Sequence, residues 1–237
     1  MATKFRYPTG TRPLLMEETA RRRLLEAGCV SLLAKSGFSE VVLPVIDFVE
    51  PYAGLVDREA FRETYRFTDR EGDLVAVRSD FTPMLARALT PILPALRQEG
   101  RLPMRVFYRG DVIRCENSRL GTRRELFQIG AEIVGDPTPE ADLEMLQLAA
   151  SIASDLSPAP LVVVSEAFAE LASDPRFLVH GEEEPGRDYY TGARFWVYGA
   201  DRRKPIARGG RYDSLYAHFG TAAPAVGFTF TIDAMED

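Results

Sequence analysis

Two stretches constrain this chain most, because each alternates large apolar residues with small or polar ones at a period of two. From Leu126 to Val134, Phe127, Ile129, Ala131 and Ile133 fall on one side of an extended strand, and Gln128, Gly130 and Glu132 on the other. From Ala225 to Ile232, Val226, Phe228, Phe230 and Ile232 oppose Gly227, Thr229 and Thr231. Strands of this kind need an apolar layer on one face and leave the other to solvent. Gly130, between two polar side chains, leaves room for a ligand to approach the backbone. Two such faces suggest a shared cleft for a small polar ligand. The alternative is an ordinary exposed face on which Thr serves as a good strand former.

The remaining pattern supplies the layers. The segment Leu14–Ser36 places Leu14, Leu24, Leu25, Cys29, Leu32 and Leu33 on one helical face, and Gly37 stops the helix. Glu40 to Ile46 is strand-like, but Pro44 cannot donate to a ladder, so that strand is at an edge or bent. Tyr65 to Arg78 reads as a hairpin turning at Asp69 to Gly72. Thr82-Pro83 opens a helix with a capping hydroxyl, and Pro91 and Pro94 break it. Another helix opens at Thr138-Pro139-Glu140, with Leu143, Leu146 and Ala150 on one face. Further strands are expected at Met104 to Arg109, Leu161 to Val164, Gly192 to Tyr198 and Pro205 to Gly209. Hairpin-linked strands with helices between them predict an α+β fold, a mostly antiparallel sheet flanked by helices. No linker divides the 237 residues, so one domain is expected. The segment from Pro175 to Pro185, with Glu182-Glu183-Glu184, is the expected mobile loop.

Charge and rare residues narrow the function. Lys plus Arg is 29 against 35 acidic residues, a net charge of -6, which argues against a dominant polyanion-binding role. The cysteines are Cys29 and Cys115 and the histidines His180 and His218, so neither a disulfide scaffold nor a structural zinc site is expected. Both histidines are expected to be structural or solvated. Met1 to Pro8 holds no apolar leader and no apolar run is long enough to span a bilayer, which points to the cytoplasm. Arg105, Arg109, Arg114, Arg119, Arg123 and Arg124 crowd one stretch. They suit carboxylate or phosphate recognition, or a hairpin laced by ion pairs with Asp111, Glu116 and Glu125. Arg208-Gly209-Gly210-Arg211-Tyr212-Asp213 suggests a glycine turn or a phosphate nest. No phosphate-binding loop, dinucleotide fingerprint or nucleophile elbow is present, and no catalytic set, metal or cofactor is expected.

Taken together, these segments resemble histidyl-tRNA synthetase and its class II relatives over about residues 5 to 232. Phe38 to Pro44 looks like motif 1, the dimer-forming element. Phe107 to Glu116, then Gly121 to Gly135, looks like motif 2, with Ile113-Arg114-Cys115-Glu116 at its F-R-x-E. Asp188-Tyr189-Tyr190-Thr191-Gly192 and Gly209-Gly210-Arg211-Tyr212-Asp213 look like the two histidine-specific signatures. The departures are as informative. Pro185 stands where the first signature begins with Arg, with Arg187 close enough to share its face. Ala234 stands where motif 3 ends with the Arg that clamps ATP. Losing one such preorganised charge typically costs about 10²–10³ in rate. The chain ends at Asp237, just after motif 3, so the resemblance implies a core without the anticodon-binding domain or the insertion between motifs 2 and 3.

A synthetase-like core with these losses resembles the regulatory subunit of ATP phosphoribosyltransferase, the partner of the short catalytic subunit in the first step of histidine biosynthesis. Arg78-Ser79-Asp80-Phe81-Thr82-Pro83 carries Asp-Phe-Thr, as regulatory subunits do, where synthetases have Glu-Gly-Thr. Phe81 in place of Gly would fill space near the site. The resemblance implies a histidine-like pocket. Asp80 and Thr82 would meet the amino group, Gln128 and Glu132 would line the same pocket, and Arg114 would pair with a carboxylate. Tyr189, Tyr190 and Tyr212 would surround the imidazole. It further implies a homodimer through the motif 1 region within a larger hetero-oligomer, L-histidine as ligand, and no tRNA binding. The alternatives are a minimal histidine-activating ligase and an RNA-binding regulator.

Overall fold

In the computed structural model of the chain, the described residues are 6–55, 62–115, 123–180 and 189–236. Pro185, Arg187, Asp188, Glu116, Arg119, Gly121 and the Glu182–Glu184 run lie outside them. Eight strands form the main sheet: β1 (Ser39–Glu40), β5 (Met104–Ile113), β6 (Glu125–Val134), β7 (Leu161–Val164), β8 (Phe177–Val179), β9 (Arg194–Tyr198), β10 (Pro205–Arg211) and β11 (Ala225–Thr231). Their spatial order is β1-β5-β6-β11-β10-β9-β7-β8. Only the outer pairs β1–β5 and β7–β8 are parallel; every other pairing is antiparallel. A second, three-stranded sheet has the order β2-β4-β3, from β2 (Ile46–Phe48), β3 (Arg66–Thr68) and β4 (Leu74–Val77). This is the expected α+β architecture.

Both faces of the main sheet are covered. On one, α1 (Met16–Lys35) and α4 (Pro139–Leu156) bring Cys29, Leu33, Met145, Leu146, Ala149 and Ile152 onto Phe127, Ile129, Ala131, Ile133, Val226, Phe228 and Phe230. The alternation places this core face correctly. On the other, α2 (Thr82–Leu89) and α3 (Leu93–Gln98) pack Phe81, Leu85, Leu89 and Leu93 with Tyr108, Tyr212 and Tyr216. The expected solvated face is therefore wrong: Gln128 and Glu132 are both buried. Alternation marks two faces but does not say what covers the more polar one.

Smaller differences have local causes. Leu24 is 75% exposed, and Leu14 precedes the helix. Glu26 takes the inward position, paired with Arg23 and Arg109. The Glu40–Ile46 segment splits, β1 joining the large sheet and β2 the small one, with Pro44 between them. Pro91 and Pro94 kink the helix without ending it. Each sits in the first turn of a new segment, the 3₁₀ turn Thr90–Ile92 and then α3, where no N–H is needed. The expected mobile loop contains β8 in its described part. No described helix is long and apolar enough to cross a membrane.

Arg208 to Arg211 forms strand and not a turn. A Cβ on Gly209 would lie 2.3 Å from Phe195 Cζ, and one on Gly210 would lie 2.6 Å from the Ala193 carbonyl. Their lack of side chains lets neighbours close in, and no phosphate nest forms. Arg211, at the end of β10, is buried and holds the sheet to α4. Its guanidinium donates to Asp142 at 2.7 Å, to the Asp136 and Thr138 carbonyls at 3.0 Å, and to Asp213 at 3.1 Å. Removing one partner of a buried pair strands the other charge and costs about 3–5 kcal/mol. Arg211→Met is expected to lose about that much in urea unfolding at pH 7, and a loss below about 1 kcal/mol would show that Asp142 stays solvated.

Candidate functional site

The site grows from glycines placed opposite large side chains. On the inner face of the three central strands, β6 presents Gln128, Gly130 and Glu132, and β11 presents Gly227, Thr229 and Thr231. The pairing sets Glu132 against Gly227 and Gly130 against both Tyr108 and Thr229. A Cβ on Gly227 would fall 1.3 Å from Glu132 Oε2, and one on Gly130 would fall 2.4 Å from Tyr108 Cζ. The space at Gly130 is thus occupied by the Tyr108 ring, and no ligand can use it. Sequence alternation singled out Gly130, but its occupant comes from the adjacent strand.

Glu132 is 1% exposed and is held by hydroxyls. Thr82 Oγ1 and Tyr108 OH each donate to Oε1 at 3.1 Å, and Tyr212 OH donates to Oε2. Tyr108 OH also lies 2.8 Å from Thr229 Oγ1. Thr82 opens α2 but does not cap it. The Asp80 carboxylate accepts the Thr82 N–H at 3.2 Å, which frees the Thr82 hydroxyl for Glu132. Tyr189 OH donates to Asp80 Oδ2 at 3.4 Å, and its ring packs edge-on to Tyr212 and beside Tyr190. Arg114 Nε donates to the Ser79 carbonyl at 3.1 Å, one residue before Asp80. Gln128 lies on the same strand face as Glu132, displaced toward the Arg114 end of the hairpin.

The chain thus brings Asp80, Thr82, Glu132, Tyr189, Tyr190 and Tyr212 into one contact network, with Arg114 joined through Ser79. Tyr108 and Thr229 complete it and were not expected there. An aromatic residue facing an in-strand glycine was the signal for Tyr108. The hydroxyl of Tyr216 is buried without a hydrogen-bond partner among the described residues. The other arginines of the cluster are committed to ion pairs, but with residues distant in sequence. Arg105 pairs with Glu144, Arg109 with Glu26 and Glu40, and Arg123 with Asp233. The expected nearby partners fail because consecutive strand residues point to opposite faces. His218 is structural, its Nε2 3.0 Å from the Pro51 carbonyl.

Burial pushes the Glu132 carboxyl up to about 8, against the opposing effect of its three hydroxyl donors. The folded state therefore keeps a proton that the unfolded chain releases near 4.5. Stability is favoured below that pH and declines as pH rises to about 8, by an amount on the order of 5 kcal/mol. The melting temperature of wild type relative to Glu132→Gln is expected to fall steadily between pH 5 and pH 8.5. A difference that stays flat would mean that Glu132 is ionised throughout.

The family model for histidyl-tRNA synthetase matches residues 10–172 and 159–235. The chain is 27% identical to an ATP phosphoribosyltransferase regulatory subunit of Geobacter sulfurreducens, with 96% of this chain aligned to 72% of that one. It is 25% identical to a histidine–tRNA ligase of Methanocaldococcus jannaschii, over 98% of this chain and 75% of the ligase. The crystal structure of an ATP phosphoribosyltransferase regulatory subunit/histidyl-tRNA synthetase from Bacillus halodurans superposes with a TM-score of 0.84 at 18% identity, covering 100% and 83% of the two chains. A histidine–tRNA ligase subunit from Alicyclobacillus acidocaldarius gives 0.82 at 22%, covering 98% and 96%. These likenesses establish the class II synthetase-like core. With nearly the whole length matched by one family model, the chain belongs to the histidyl-tRNA synthetase family.

Proposed function

We propose that this protein is a non-catalytic regulatory subunit of ATP phosphoribosyltransferase, serving the first step of histidine biosynthesis in the cytoplasm. It partners the short-form catalytic subunit and senses L-histidine. The observation that carries this reading is the end of β11. Ala234 packs against the core where a synthetase would present its ATP-clamping Arg. Beside it, Asp233 takes up Arg22, Arg123 and the Phe127 N–H. Two arginines near the motif 2 hairpin are thereby neutralised by the protein's own carboxylate, which disfavours their use on a polyphosphate. The naming of the Geobacter relative points the same way.

The pocket suits a zwitterion with a polar ring. Asp80 and Glu132 offer acceptors for an ammonium group, Arg114 a donor fork for a carboxylate, Gln128 an amide, and Tyr189, Tyr190 and Tyr212 a wall for an imidazole. Hydroxyl partners leave Glu132 short of positive charge, and a cationic ligand supplies it. A homodimer through the motif 1 region fits the apolar residues left exposed around it: Val42, Val45, Ile46, Phe48 and Phe67. The chain acts as one synthetase-like core and needs no cofactor or tRNA.

A second reading, a minimal histidine-activating ligase, is favoured by one observation. The chain is similar to ligases over nearly all of its length, with the Glu132 network in place. Histidine-dependent ATP–pyrophosphate exchange separates the two, and is expected to be undetectable. Adding this protein to the short catalytic subunit is expected to raise its turnover; equal turnover with and without it would sink the regulatory assignment. Titration calorimetry with L-histidine is expected to show one site per chain, weakened about 10- to 100-fold in Glu132→Ala by loss of a charged hydrogen-bond partner. Unchanged affinity in that variant would place the ligand elsewhere.

A further inference from the structure

A second feature leads out of the pocket. Arg78, just after β4, is buried and lies with its guanidinium carbon 4.0 Å from the centroid of the Phe81 ring. Phe81 in turn stacks on Tyr108, with centroids 4.4 Å apart and planes 11° from parallel. Tyr108 donates to Glu132. The outer end of the stack is fixed as firmly. Arg78 Nη1 donates to the Leu43 and Pro44 carbonyls at 3.0 and 3.2 Å, Nε and Nη2 donate to the Asp111 carbonyl at 3.0 and 2.8 Å, and the Arg78 N–H donates to the Val45 carbonyl at 2.8 Å.

The stack has no slack. A Cβ on Gly110 would lie 2.9 Å from Arg78 Nη2 and 3.4 Å from Phe81 Cζ, and Gly130 touches the Tyr108 ring as described. Backbone therefore presses on both its ends, and close-packed interiors transmit displacement without absorbing it. A parallel tie runs through α2. Thr82 at its start meets Glu132, and Arg87 near its end meets Asp47 of β2, which also accepts from Tyr52 OH at 2.6 Å. Both routes end in the Leu43–Phe48 segment. That segment exposes Val45, Ile46 and Phe48 beside Val42, which is 87% exposed. A patch made of uncharged side chains can face its own copy across a two-fold axis without like-charge repulsion.

We propose that the Arg78–Phe81–Tyr108 stack couples the Glu132 pocket to the Val42–Phe48 surface, so that a ligand in the pocket and a second copy on that surface strengthen one another's binding. The proposal rests on the reading that the pocket binds L-histidine and that this surface joins two copies. A ligand engaging Glu132 fixes Tyr108. Tyr108 fixes Phe81 and Arg78, and Arg78 holds the carbonyls of the turn that shapes the contact surface. Arg78 and Phe81 are positioning residues here; neither donates to Glu132.

The test is a thermodynamic cycle on the full chain. The dimer dissociation constant is measured by sedimentation equilibrium with and without saturating L-histidine, for wild type, Arg78→Lys and Phe81→Leu. Histidine affinity of each is measured separately by calorimetry, and circular dichroism confirms folding. In wild type, histidine is expected to tighten the dimer about tenfold, within the usual range of allosteric coupling, and the dimer to bind histidine tighter by the same factor. In both variants that factor is expected to fall below about twofold while histidine still binds and copies still associate. A merely structural role would shift both affinities and leave their ratio intact. If one variant fails to fold, the other decides. Wild type that binds histidine and dimerises with no mutual effect overturns the coupling, as does full coupling in a folded variant. Wild type that binds no histidine, or stays monomeric, overturns the underlying reading itself, a distinguishable result.

Discussion

The structure turns on one carboxylate buried without a basic partner. Glu132 sits in the central strand of an eight-stranded sheet, and its hydrogen-bond partners among the described residues are hydroxyls. Such a group carries a large desolvation cost, which only close, well-aimed donors offset. The donors come from four elements: β5, the start of α2, the segment after β10 and, at one remove, β11. Each of those elements must sit within hydrogen-bond reach of one point. The glycines opposite Glu132 and Tyr108 make that approach sterically possible, so a methyl group at Gly227 would displace the carboxylate itself.

Around that point the two faces of the sheet do different work. The α1–α4 side is a conventional apolar core, closed at one end by the Arg211–Asp142 pair and at the other by Asp233 with its two arginines. The α2–α3 side is apolar at its rim and polar at its centre, and it is the side that receives Asp80, Tyr189 and Tyr212. Phe81 belongs to both roles. It fills the layer, and it seats Arg78 against the turn that leads into the small sheet. Stability and the recognition chemistry proposed for the pocket therefore draw on the same residues.

Much of the fold was legible from periodicity. The strands at Leu126–Val134 and Ala225–Ile232, the hairpin turning at Asp69–Gly72 and the helices opening at Thr82 and Thr138 all appear, with ends moved by a few residues. The misreadings share a cause. The solvated face, the space at Gly130, the glycine turn at Gly209-Gly210 and the neighbours assumed for the arginines were each inferred from residues close in sequence. Each was decided by a residue far away: Tyr108 over Gly130, Phe195 over Gly209, Glu144 and Asp233 on Arg105 and Arg123. The pocket residues Asp80, Thr82, Arg114, Gln128, Glu132, Tyr189, Tyr190 and Tyr212 came from motif resemblance, and spacing alone would have found only Gln128 and Glu132, on one strand face.

The amino-acid sequence by itself determined which residues face which way along each element, because helix and strand periods are local properties of the backbone. It also determined the chemical inventory, including the Phe81 and Ala234 departures. Only the tertiary structure decided what each face meets: that Glu132 is enclosed by hydroxyls, that Thr82 serves a carboxylate and not a helix cap, and that Arg78 joins the pocket to the motif 1 turn. Those contacts join strands and helices tens of residues apart. Their geometry follows from sheet order and register, which no short window of sequence contains.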